Sequence, residues 1–254
     1  MRSARNGGEP VVKAHTDSLI RKLDAAGLFS ESEIECFRRL PIQVAKLRPG
    51  EHIVREGDRP TRSCMIIEGF VCASKTTGDG DRQIASFYIP GDIPDLQSLH
   101  LGVMDISFEA ITPCTVGFIP HEALHRLCED FPRLGSALWR TTLVDAAIYR
   151  EWVANVGQRH ADSRLAHLLC EILMRLNAVG LADENSCDLP MTQTELGDAL
   201  GISVVHVNRT LQKLRRDGLI SFKSKRLKVL DWKRLSEIGD FDPTYLHLTP
   251  PPPA

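Results

Sequence analysis

The chain has 254 residues, 43% of them apolar and 25% charged, with 31 Lys and Arg against 33 Asp and Glu for a formal net charge of −2. This is the composition of an ordinary globular protein long enough for two domains, and it excludes a low-complexity or uniformly polycationic chain. The opening MRSARNGGEP has no apolar core of signal-peptide type and no run approaches the roughly 18 uninterrupted apolar residues of a membrane span, so a cytoplasmic protein with no membrane partner is expected.

The near-neutral total hides an asymmetry. Residues 190–235 hold ten Lys and Arg against four Asp and Glu, a local +6 that leaves −8 on the remainder. A basic segment on an acidic body points to a polyanion partner for that segment alone. The seven cysteines, Cys36, Cys64, Cys72, Cys114, Cys128, Cys170 and Cys187, are odd in number and form no C-x-x-C pair. Reduced, mostly buried thiols are the expectation.

Residues 1–17 are polar and glycine-rich and read as a mobile leader. From Ser18 to about Leu40 the apolar positions Leu19, Ile20, Leu23, Leu28, Ile34 and Phe37 fit short helices broken at Gly27. The period then changes. Stretches such as CMIIEGFVCAS, QIASFYIP and CTVGFIP alternate with turn signals at Gly50, Gly57, Gly69, Gly80 and Gly91, whose steps run 7, 12, 11 and 11 residues. That rhythm predicts an all-β roll of about eight strands within a domain spanning 18–130.

Residues 121–125 read HEALH, the spacing that places two imidazoles and a glutamate on one helix face for a zinc hydrolase. The extended pattern fails because Cys128 stands where a glycine belongs, and Glu151 as third ligand falls on a helix assigned to another task. A solvated turn after the last strand, its leucines holding the roll to the next helix, is the preferred reading. No metal site and no enzyme are expected.

That next helix is predicted over 131–158. Leu134, Leu138, Thr141, Val144, Ile148, Trp152 and Val156 recur on average about 3.7 residues apart, close to the helical repeat. A helix of some 30 Å is too long for one small roll to cover its whole stripe. These seven residues are therefore assigned to a homodimer seam, the alternative being a helix packed wholly against its own domain. A further helix is expected from an N-cap at Asp162 or Ser163 to Gly180, followed by LADENSCDLP as a polar connection.

From Thr192 the residues carry chemistry, and Thr192 and Ser203 are themselves among the expected DNA contacts. Thr192 and Glu195 make a capping box for a short helix, Gly201 ends it, and Ser203 caps a second helix with Val207, Leu211 and Leu214 inward. Two short helices on a glycine turn make a helix-turn-helix, with Gly197 allowing their close approach and Ile202 filling the turn. Outward from the second helix stand His206, Asn208, Arg209, Gln212, Lys213 and Arg216, donors suited to base edges and phosphates. LISFKSKRLKVL then reads as a β-hairpin with Lys223, Lys225 and Arg226 at its tip, a wing placed against phosphate. This winged domain is set at 159–239, with 240–254 as a proline-rich tail. The whole is an α+β chain: β-roll, long dimerisation helix, winged helix-turn-helix.

From about Ser18 to Leu235 this order resembles the Crp/Fnr superfamily of bacterial transcription regulators. The matching residues are PGEHIVREGD, IIEGFV and PGD in the roll and GISVVHVNRTLQKL leading into DGLI. The resemblance implies a homodimer on a palindromic operator in double-stranded DNA, acting on RNA polymerase, with a small-molecule effector at the roll in many members. It implies that Arg209 reaches guanine O6 and N7, that Asn208 stands where relatives carry glycine or serine, and that Val205 replaces a usual glutamate, so a thymine methyl becomes the natural contact there. Against a cyclic nucleotide, Pro94 and Asp95 replace the family's Gly-Glu pair, and Met104 and Asp105 its arginine and serine. No clustered N-terminal cysteines support an iron–sulfur centre, so no cofactor is expected; oxidation of Cys187 is one switch open to the chain. The alternative to a DNA-binding regulator is an effector-binding module whose helix-turn-helix mainly contacts protein.

Overall fold

Five glycines bend the N-terminal half into shape. Gly50, Gly57, Gly69, Gly80 and Gly91 have φ of +86°, +89°, +91°, +89° and +91°, the left-handed region that favours a residue without Cβ. In the computed structural model, which describes residues 19–20, 22–24 and 29–248, these turns separate antiparallel strands. The expected leader, the Gly27 break and residues 249–254 of the tail lie outside the described residues.

After a capped helix α1 (Glu31–Arg38) come β1 (Gln43–Leu47), β2 (His52–Val54), β3 (Arg62–Glu68), β4 (Val71–Thr76), β5 (Arg82–Tyr88), β6 (Ser107–Ala110) and β7 (Cys114–Pro120). They form two sheets, β1-β7-β3 and β2-β6-β4-β5. The described strands number seven rather than about eight. After β5, Pro90 and Pro94 lack the amide donors a ladder needs, and the chain makes a 3-10 turn at Leu96–Leu99 instead. Cys64, Ile66, Val71, Tyr88, Phe108 and Val116 fill the space between the sheets.

HEALH opens α2 (His121–Asp130), whose Leu124 and Leu127 pack with Met65 and Ile119 of the roll and with Leu134 and Leu138 of the long helix α3 (Pro132–Gln158). Next comes α4 (Ala161–Ala178), which starts earlier than predicted. Its N-cap is His160, so neither Asp162 nor Ser163 caps it; Asp162 stands instead in the first turn, where a carboxylate complements the helix dipole.

A buried ionic chain joins roll and C-terminal half. Asp92, in the turn after β5, accepts from the Ile89 amide (2.9 Å) and from Arg175 Nη2 of α4 (3.1 Å), and pairs with Lys22. Arg175 Nη1 also meets Glu171 Oε1 at 3.1 Å, and Glu171 Oε2 accepts from Trp152 Nε1 (3.0 Å) and the Tyr245 hydroxyl (2.7 Å). Burial alone would raise the Asp92 carboxyl, but Lys22 and Arg175 hold it below its ordinary value. Removing Asp92 or Arg175 leaves the other with a single opposite charge, Glu171 or Lys22 respectively, in a buried site, which is costly.

Candidate nucleic-acid interface

The segment from Thr192 builds a reading head from short-range rules. Thr192 Oγ1 accepts from the Glu195 amide at 3.2 Å while Glu195 Oε2 accepts from the Thr192 amide at 2.6 Å, closing the box that starts α5 (Gln193–Leu200). Gly201 follows at φ +63°. A Cβ on Gly197 would stand 2.8 Å from the Ile202 carbonyl, so only glycine permits this approach of the two helices. Ser203 Oγ then accepts from the His206 amide (3.3 Å) and starts α6 (Val204–Arg216).

Val207, Leu211 and Leu214 are buried, as the pattern required, with Thr210 beside them. The opposite face carries the donors. Arg209 makes no hydrogen bond or ion pair with any described residue, and its guanidinium is free to reach outward. Val205, 80% exposed, is an apolar side chain held in water at the start of the helix. Asn208 is fixed from both sides, donating to Gln193 Oε1 (3.2 Å) and accepting from Gln212 Nε2 (2.8 Å). Gln193 thus joins the site through α5, a contact fifteen residues away in sequence that helix periodicity does not display. Lys213 pairs with Asp162 at the start of α4, and His160, His206, Arg209, Lys213 and Arg216 line the cleft between the two helices.

The wing is present as β10 (Ile220–Lys223) and β11 (Arg226–Val229), joined by Ser224 and Lys225 at φ +49° and +61°. Lys223 and Lys225 are exposed at its tip. Arg226 is a correction: it turns back to Asp183 and to Asp188 (3.2 Å) and holds the wing rather than reaching from it. Those acids lie on β8 (Ala182–Asp183) and β9 (Ser186–Asp188), a hairpin inside the stretch read as mere connection, and the sheet order is β10-β11-β9-β8. The head leans on the roll, where Gln83 Nε2 of β5 donates to the Ala199 carbonyl at 3.2 Å.

The predicted dimer stripe is also corrected. Leu134, Leu138, Ile148 and Trp152 are buried in their own chain's core, Thr141 and Val144 line an internal cavity, and Val156 sits beside the Gly201 turn. The side of α3 turned to water carries Trp139, Leu143 and Val153 instead, with Arg150 among them.

HEALH is occupied with structural contacts. His121 Nε2 lies 3.0 Å from Ser98 Oγ, Glu122 pairs with Arg126 (3.3 Å), and Glu151 holds Arg159 (2.7 Å). Among the described residues no three His, Cys, Asp or Glu stand so as to hold a metal ion, and no helix is long and apolar enough to cross a membrane. Cys187 is buried beneath the wing, and burial pushes its thiol up to about 11.

A roll feeding a long helix and a winged reading head is the architecture of a helix-turn-helix regulator. Comparison with known proteins agrees: the pattern of a Crp-like helix-turn-helix domain matches residues 163–238 and that of a cyclic nucleotide-binding domain residues 44–131. The transcriptional activator protein FnrL of Cereibacter sphaeroides is 29% identical over 75% of this chain and 78% of its own. The nitrogen fixation regulation protein FixK of Bradyrhizobium diazoefficiens is 28% identical over 88% and 93%. The solved structure of FixK2 from Bradyrhizobium japonicum superposes with a TM-score of 0.72 at 25% identity, covering 78% of this chain and 98% of that one. The chain belongs to the Crp/Fnr superfamily of bacterial regulators and is a DNA-binding transcription regulator.

Proposed function

We propose that the protein binds a palindromic operator as a homodimer paired through the outward face of α3, and so controls access of RNA polymerase. The observation that carries the reading is Arg209, without a partner among the described residues, on the exposed face of a recognition helix capped by Ser203. A free guanidinium there matches the O6 and N7 acceptors of guanine, and Val205 beside it offers a methyl contact to thymine. Lys223 and Lys225 supply phosphate contacts from the wing, and Asn208, braced by Gln193 and Gln212, adds a base or phosphate contact.

Trp139, Leu143 and Val153 are what a self-complementary seam requires, large apolar groups in water on one side of a long helix. Two reading heads related by that axis would meet half-sites about one turn of DNA apart. A cyclic nucleotide does not suit the roll: Met104 is buried where a cation would be needed, and the buried Asp95 carboxyl accepts from the Cys64 amide at 2.7 Å. A phosphate in that place would meet the Asp95 carboxyl and the Met104 side chain in the positions where the family's cassette supplies its glutamate and arginine.

Sequencing DNA fragments selected by the purified protein tests the reading. An inverted repeat should emerge, and Arg209→Ala should lose sequence preference while remaining a dimer. Retained preference in that variant would overturn the contact. Binding should also weaken steeply with salt, since each neutralised phosphate releases counterions.

A further inference from the structure

Between the inner side of α3, the end of α4 and the C-terminal segment lies a cavity of about 90 Å³. Its walls are largely apolar, with Ile89 of the roll, Val144 and Ile148 of α3, Val179 beyond α4, and Leu246 near the C-terminus. Four charged side chains line it: Lys22, Arg140, Asp145 and Arg175. Lys22 and Arg175 are held by Asp92, and Arg175 by Glu171 as well. Arg140 donates from Nη2 to the His247 carbonyl at 2.6 Å, which uses one of the guanidinium's five N–H groups. Asp145 has no hydrogen-bond partner among the described residues.

We propose that this cavity binds a short-chain monocarboxylic acid, with its carboxylate on Arg140 and bridged through one proton to the carboxyl of Asp145. Charge and shape lead to that ligand. Lys22, Arg140 and Arg175 stand against Asp92 and Glu171, so with Asp145 protonated the group has one positive charge in excess, which a monoanion closes. An amine would add a fourth cation where three already stand. An engineered cavity of about 150 Å³ admits the six heavy atoms of benzene, so this smaller one takes roughly four, the size of acetate.

The proton is available near neutral pH. Burial pushes the Asp145 carboxyl up to about 7 and Asp92 adds to the rise, while Lys22 and Arg175 oppose it. The other titratable groups around it are Tyr149 one turn along α3, Tyr88 of β5 and His247 of the C-terminal segment; both phenols are raised by burial and stay neutral through this range. A neutral carboxyl beside a carboxylate shares its proton with it, so ligand binding and protonation of Asp145 reinforce each other. The site lies on the side of α3 opposite Trp139 and Leu143, and is independent of the seam proposed above.

Titration calorimetry and thermal denaturation of the full chain with acetate, ethylamine and ethanol test the site. Acetate should bind saturably and raise Tm, about tenfold more tightly at pH 6 than at pH 8, as expected for linkage to one group titrating near 7. Arg140→Ala should abolish saturation. Asp145→Asn should keep binding through its amide but lose the pH dependence. Val144→Phe, which fills the cavity without touching a charge, should also abolish binding. Absence of saturable acetate binding, equal binding of ethylamine or ethanol, or unchanged affinity in Arg140→Ala or Val144→Phe overturns the proposal.

Discussion

Trp139 and Trp152 stand on the same helix and meet opposite surroundings. Trp152 is 5% exposed, with its ring edge-on to Phe87 at 5.8 Å and its Nε1 donating to Glu171; Trp139 is 67% exposed. With 3.6 residues per turn, 134, 138, 148 and 152 fall on one side of α3 and 139, 143 and 153 on the other. One apolar side completes the core of its own chain, and the other is left for a second surface. An apolar stripe in a sequence locates a buried face without saying whose face buries it.

The comparison can be broken at either tryptophan. Trp152→Ala should cost about 3–5 kcal/mol, through the cavity it leaves and the loss of one of the two donors to Glu171 Oε2, in urea denaturation at fixed protein concentration. A loss below about 1 kcal/mol would mean that the inward side is not the core. Replacing Trp139 and Val153 together by serine should raise the dimer dissociation constant at least about a hundredfold in sedimentation equilibrium, because central aromatic anchors dominate such seams. The chain itself should stay folded, and an unchanged mass would remove the outward side from the dimer.

A smaller effect tests burial of the acids on the inward side and in the roll. Burial pushes Asp95 as well as Asp145 up to about 7, with the Cys64 amide partly opposing the rise at Asp95. Each carboxyl then keeps a proton in the folded chain that the unfolded chain releases above about pH 4. Their cost is therefore greatest at high pH, and lowering pH from 8 to 6 should stabilise the protein by on the order of 1 kcal/mol per group. Asp95→Asn should remove its share of that slope in denaturation curves at the two pH values. Smallest is Arg226→Ala. Its ion pairs to Asp183 and Asp188 are half exposed, and their loss should cost no more than about 1 kcal/mol while leaving the salt dependence of DNA binding almost unchanged.

What was legible in the sequence is what local chemistry decides. The five glycine turns, the Thr192–Glu195 box, the Gly201 break and the Gly197 approach each depend on residues a few positions apart, and each stands where the pattern put it. The features that escaped depend on distance. Arg226 was read as a phosphate contact because its acids lie 43 and 38 residues upstream. The β8–β9 hairpin has strands of two and three residues, too short to show a period. Asp92 and Arg175 are 83 residues apart, and neither residue alone announces a buried pair.

Because β9 enters before the recognition helices and β11 leaves after them, the two ends of that segment are laid side by side. Asp188 pairs with Arg226, and the Leu189 amide donates to the Lys225 carbonyl at 2.8 Å. The reading head is thus a loop drawn closed at its base, and its helices have little chain entropy to gain by loosening while that base holds. Their order is inherited from the sheet, so α5 and α6 should melt together with the wing, and a head released from DNA returns to solution with its contact residues still in place.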